Sequence, residues 1–212
     1  MTAPTCAASL LSLPPAGLAK DLIRRYRLRR GARVLDIGSG QGEVVQRLRS
    51  SGVCAFGLFD GPALPRDPSG DRSGDSAPAI QPAVLHQGVP FLAQSFDCIL
   101  LRDSHVYRGS LRGPEACTAT ANVLASLKPG GPLICCGLGD LDAWEAHLSA
   151  FPGQSQRLEL GNGGLMGALK HLLGQARTSP AVEFCVPSAP ICRLEWHRLA
   201  RQAVMAAQQP AA

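Results

Sequence analysis

Val34-Leu35-Asp36-Ile37-Gly38-Ser39-Gly40-Gln41-Gly42 is a β-branched and apolar run that stops in glycines, the pattern of a strand buried on both faces followed by a tight turn. Glu43 to Arg49 comes next with Val44, Val45 and Leu48 at helical spacing, so the stretch reads strand, glycine turn, helix. A second apolar run, Val53 to Phe59, ends at Asp60 and repeats the strand pattern one strand–helix–strand unit later.

Upstream, Leu18, Leu22 and Tyr26 recur at i, i+4 with Ile23 beside them, and Gly31 is placed to end the helix they predict. Between Lys20 and Arg33 seven basic side chains stand against Asp21, a local +6 in a chain whose net charge is +5, which leaves the remainder at −1. Arginines crowding a last turn complement the helix dipole. They also fit an anionic partner, nucleic acid or an acidic head group.

Downstream, Gly61 to Pro82 changes to Pro, Gly, Ser, Asp and Ala without apolar period and reads as a flexible loop. Strands are predicted at Ala83 to His86, Phe96 to Leu101 and Pro132 to Cys136, and a helix at Pro114 to Leu127 with Pro in its first turn. Leu141 to Phe151 and Leu165 to Leu173 read as helices. Val182 to Val186 and Ile191 to Leu199, separated by a proline turn, read as an antiparallel hairpin at the sheet edge. Alternating strands and helices predict an open, doubly wound α/β sheet.

At 212 residues and 45% hydrophobic content the chain is expected to form one domain, 1–212, with a helical N-terminal extension over 1–30. No run approaches the roughly 18 apolar residues of a spanning helix, so no membrane association is expected. Eight cysteines form no CxxC pair and mostly lie in apolar runs, where free Cys behaves as a small hydrophobe. No metal site is expected. The apolar patch Ala7 to Leu13 lacks a preceding positive charge and makes a poor secretory signal. A reducing, cytoplasmic setting is therefore expected.

The glycine turn brings backbone N–H groups close to a ligand with no Cβ in the way. A dinucleotide fingerprint asks for Gly at 43, which is Glu43; the pattern is Gly-x-Gly-x-Gly with an acid two residues before it. That acid, Asp36, suits a ligand ammonium or holds the turn through its N–H groups. Asp60 stands where an open α/β sheet places the acid that accepts from ribose hydroxyls.

Val34 to Gly42, the Val89-Pro90-Phe91…Ser95-Phe96-Asp97 stretch and Leu127-Lys128-Pro129-Gly130-Gly131 resemble the three successive signatures of class I S-adenosylmethionine-dependent methyltransferases. The resemblance covers roughly Gly17 to Gly137. It implies a Rossmann-like methyltransferase fold: a mostly parallel seven-stranded sheet with a terminal antiparallel hairpin, and S-adenosylmethionine over the carboxyl ends of the first strands. Asp36, Gly38 and Gly40, with Ser39 between them, would contact the methionine part, Asp60 the ribose, and Gln87 and Gly88 the adenine. The chain departs from the pattern where loop 61–82 replaces a helix, and where His86-Gln87-Gly88 stands in place of an acid before the second signature.

Methyl transfer from a sulfonium needs alignment first and a base only if the acceptor must lose a proton. After the fourth strand, Arg102-Asp103-Ser104-His105-Val106-Tyr107 supplies His105 as the first candidate base or acceptor contact, then Tyr107, then Asp103. The glycines at 161, 163 and 164 and the helix after them form a candidate lid over the acceptor, within 138–180. The expected activity is methyl transfer to a small-molecule acceptor. The alternatives are a catalytically silent binding or assembly subunit, and RNA or protein methylation guided by the basic helix.

Overall fold

The alternation in Val34-Leu35-Asp36-Ile37 decides how the layers form. In the computed structural model, which describes residues 14–59, 80–161 and 179–208, β1 (Arg33–Ile37) sends Val34 to one face of the sheet and Leu35 and Ile37 to the other, all buried. β2 (Cys54–Phe59) and β4 (Cys98–Leu101) flank β1 in parallel. With β3 (Ile80–Pro82), β5 (Pro132–Cys136), β6 (Gln154–Leu160) and β7 (Ser179–Cys185), the described strands make one seven-stranded sheet of order β3-β2-β1-β4-β5-β7-β6. β7 runs antiparallel to both its neighbours, β5 and β6, and the other described pairs are parallel.

Helices cover both faces. α1 (Pro15–Arg25) and α2 (Glu43–Ser50) bury Leu18, Leu22, Val44, Val45 and Leu48 against Val34, Ala55, Cys98 and Leu100. On the other face lie α3 (Pro114–Ser126), α4 (Leu141–Leu148) and α5 (Arg193–Gln208). Pro15 and Pro114 open their helices where a missing N–H costs nothing. Asp140 caps α4, its Oδ1 accepting from the backbone N–H of Asp142 at 2.9 Å and of Ala143 at 3.2 Å. No described helix is long and apolar enough to cross a membrane. The seven described cysteines are free thiols, and Cys98, Cys117, Cys135 and Cys136 are buried as small hydrophobes.

Four expectations are corrected. The third strand is Ile80–Pro82, pairing Gly57–Phe59 in parallel, and residues 83–86 turn away from it. Of the loop expected over 61–82, residues 80–82 are thus strand, and 61–79 lie outside the described residues. The partner of β7 is β6, not residues 191–199, which begin α5; Trp196 and Ala200 are buried with Leu199, Ala203 and Val204 packed beside them, a 3–4 spacing that continues past the segment read as a strand. β6 was not expected because its residues are almost all exposed, so they carry no apolar alternation. α1 stops at Arg25, with Arg27 in the left-handed region at φ 48°, rather than running to Gly31. The helix predicted over 165–173 and most of the proposed lid lie outside the described residues.

The second and third signatures serve the amino-terminal edge of the sheet. Phe91 and Phe96 pack edge-on with Phe56, and Phe96 bridges Leu127. Asp97 accepts from the backbone N–H of Arg33 at 2.8 Å and from Lys128 Nζ at 2.5 Å.

Candidate functional site

β1 continues to β2 on one side while β4 lies on its other side, so the carboxyl ends of β1 and β4 border the crevice in which open α/β sheets bind ligands. The glycine turn sits at that crevice. Its first N–H groups are held from below: Gly38 and Ser39 both donate to the Leu58 carbonyl, at 2.9 and 3.3 Å. Ser39 is buried and its hydroxyl donates to the same carbonyl at 3.4 Å, so its side chain faces into the protein.

Two glycines are required for different reasons. Gly38 has φ 75°, and a Cβ there would stand 1.8 Å from the Asp103 carbonyl oxygen, so the turn and the loop after β4 are pressed together. Gly40 has φ 56°, is exposed, and a Cβ there would meet nothing within 4 Å. The open side of the turn is thus at Gly40, where a ligand can approach the backbone.

Asp36 is completely buried, on the α2 side of the sheet, and both of its oxygens are taken. Arg102, the first residue beyond β4, donates from Nε to Oδ1 at 2.9 Å and from Nη2 to Oδ2 at 2.8 Å. The register explains the pairing: Asp36 lies opposite Leu100, and two residues further along the same face is Arg102. Burial pushes the Asp36 carboxyl up from its ordinary value, opposed by the charge and hydrogen bonds of Arg102. Desolvation works against the guanidinium as well, but the Asp36 carboxylate outweighs it and raises the Arg102 pKa, so the cation is retained. Arg102 was not among the residues singled out from sequence. Its signal was a lone cation ending the apolar run Cys98-Ile99-Leu100-Leu101; the register that aims it at Asp36 is not legible there.

The loop after β4 separates the three candidate bases. His105 is exposed in a short 3₁₀ turn, His105–Tyr107. Asp103 is exposed and paired to Arg108 at 2.7 Å. Tyr107 is buried beneath them, its hydroxyl 3.2 Å from Thr120 Oγ1 and its ring against Trp144. Gln87 and Gly88 line a different hollow, a cleft of about 790 Å³ bordered by Val84, Asn122, Arg193 and His197 and by no residue of the glycine turn. Asn122 fixes the turn over residues 85–87 by donating to the Leu85 carbonyl at 2.9 Å. Asp60 lies outside the described residues, next to Phe59.

The fold is shared with solved structures. The YcgJ protein from Bacillus subtilis superposes with a TM-score of 0.53 at 16% identity, over 82% of this chain and 99% of that one. The putative methyltransferase seen in complex with the Trm112 activator of Haloferax volcanii gives 0.54 at 14% identity, over 80% and 89%. Phosphoethanolamine N-methyltransferase 2 of Haemonchus contortus, solved with S-adenosyl-L-methionine, gives 0.52 at 14% identity, over 79% of this chain and 51% of that one. This is the class I methyltransferase fold. No family model matches the sequence, and no curated protein does. Within the methyltransferase fold, the Asp36–Arg102 pair occupies the carboxyl end of β1 and β4, beside the glycine turn.

Proposed function

We propose that the protein binds S-adenosylmethionine over the glycine turn and directs its methyl group to a small-molecule acceptor by in-line displacement. The observation that carries this reading is the turn itself, at the crevice between β1 and β4, pinned beneath by Leu58 and open above Gly40. When bound, the cofactor supplies a methyl carbon activated by a sulfonium. Gly40 brings its backbone N–H to its methionine part, Gly38 lets the chain turn tightly beneath it with its own N–H on the Leu58 carbonyl, and Asp60 is placed by sequence to accept from its ribose hydroxyls. His105, exposed in the loop after β4, takes a proton from acceptors that must lose one. Asp103, held by Arg108, and Tyr107, turned into the core, have less support as bases.

Calorimetry and thermal unfolding with S-adenosylmethionine and S-adenosylhomocysteine test the proposal. A ligand at 100 times its Kd stabilises the fold by about 2.7 kcal/mol, and label from the methyl group should then pass to a component of a small-metabolite extract. A silent binding subunit is the second reading, favoured by the engagement of both Asp36 oxygens. Binding without label transfer would select it, and no binding of either ligand would dismiss both readings. Methylation of RNA guided by the basic segment has weaker support, since residues 27–30 precede the amino end of β1, about 15 Å from its carboxyl end at ~3.3 Å per residue.

A further inference from the structure

A guanidinium has two usable edges. In Arg102 the side edge, Nε and Nη2, is closed by the two oxygens of Asp36. The end edge, Nη1 with the second hydrogen of Nη2, forms no hydrogen bond among the described residues, and 26% of the side chain remains exposed. Asp36 holds that fork in a fixed plane, while the Arg102 backbone N–H donates to the Ile37 carbonyl at 3.0 Å and ties the residue to the glycine turn. A fork fixed along one edge presents the other to a planar anion, the geometry by which arginine takes a carboxylate bidentately.

The same bonds close the route by which Asp36 would take an ammonium. Its side chain has no exposed surface, and an ammonium entering there would have to displace Arg102 and leave a half-buried guanidinium without its counterion. The group offered at this end of the crevice is therefore the guanidinium edge of Arg102 and not a carboxylate. Glu43, which opens α2, acts on Arg102 through its charge without a hydrogen bond.

We propose that Arg102 determines specificity at this site by taking the carboxylate of the amino-acid end of the bound ligand through its open guanidinium edge, so that the site selects the ligand by its carboxylate and not by its ammonium. The inference rests on the S-adenosyl ligand proposed above. It names the residue and the group it reads.

The test is calorimetric, on the full chain, with S-adenosylhomocysteine, its decarboxylated analogue and its deaminated analogue. Loss of a charge-assisted bidentate contact should weaken the decarboxylated ligand roughly 10- to 100-fold, and deamination should change affinity less than about 5-fold. Arg102→Lys keeps a cation for Asp36 and removes the fork; it should bind S-adenosylhomocysteine more weakly and discriminate less than about 3-fold between the two analogues. If that variant fails to fold, the three-ligand comparison on the unaltered protein decides alone. Equal affinity for S-adenosylhomocysteine and its decarboxylated analogue, or a larger loss on deamination, would overturn the role of Arg102 while leaving the S-adenosyl site intact. Failure of all three ligands to bind would overturn the site itself, and the inference with it.

Discussion

Gly38 and Gly40 look alike in sequence and carry different loads. Both have positive φ, but an alanine at 38 would drive its Cβ into the Asp103 backbone, whereas an alanine at 40 would enter open space. Gly40→Ala is expected to cost about 1–2 kcal/mol, the left-handed penalty alone. Gly38→Ala should cost clearly more, because the loops after β1 and β4 must separate. Urea unfolding of the two variants measures the difference, and equal costs would mean that the loops part easily. The Gly-x-Gly-x-Gly spacing identifies a turn with close backbone approach. Which glycine faces a neighbouring loop and which faces open space follows from the packing of residue 103, distant in the chain.

At the scale of the element, α3 and α4 enclose a polar chain inside an apolar layer. Tyr107, Thr120 and His147 follow one another by hydrogen bonds, with Thr120 Oγ1 2.8 Å from His147 Nε2, and Trp144 and Phe151 pack edge-on against the imidazole. Burial lowers the His147 pKa from its ordinary 6.5 to about 4. The unfolded chain therefore binds more protons between those values, so His147 favours the fold fully above pH 6.5 and loses that contribution as the pH falls towards 4. The loss is as much as about 3 kcal/mol at 1.36 kcal/mol per unit. Denaturant midpoints of the unaltered protein and of His147→Gln, followed from pH 7 to 4, should converge on acidification; parallel curves would contradict the assignment.

α5 and β6 show why sequence periodicity succeeded for most elements and failed for these. α2 and α3 have local apolar patterns, and their observed bounds fall within a residue of the expected ones. In α5 the alternation Arg193-Leu194-Glu195-Trp196-His197 imitates a strand over its first turn, and the helical stripe emerges only with Leu199, Ala200, Ala203 and Val204. Its opening residues gain their partners from α3, where Arg193 Nη2 donates to Asn122 Oδ1 at 3.4 Å. β6 is an edge strand held by main-chain pairing with β7, a property that side-chain pattern does not record.

For the whole molecule, charge and candidate site lie at opposite ends of the strands. Arg24 is paired to Asp21 at 2.9 Å and Arg25 donates to the Glu159 carbonyl at 3.0 Å, both within the fold. Arg27, Arg29 and Arg30 are exposed in the turn that leads into β1. Arg29→Glu with Arg30→Glu should leave S-adenosylhomocysteine affinity within about 2-fold, since charges beyond a Debye length of about 8 Å are largely screened. A larger effect in calorimetry at physiological salt would place the site nearer that edge.

The sequence by itself determined the succession of strand, glycine turn and helix around β1, the turn after β1 and the separation of a basic segment from a near-neutral body, because each rests on neighbouring residues. Tertiary structure decided what register and packing control: that β6 lies beside β7, that α5 covers α3, that Tyr107 turns inward, and that Arg102 closes over Asp36. A salt bridge between residues 36 and 102 exists only because two parallel strands place Asp36 opposite Leu100, and no local pattern encodes that register.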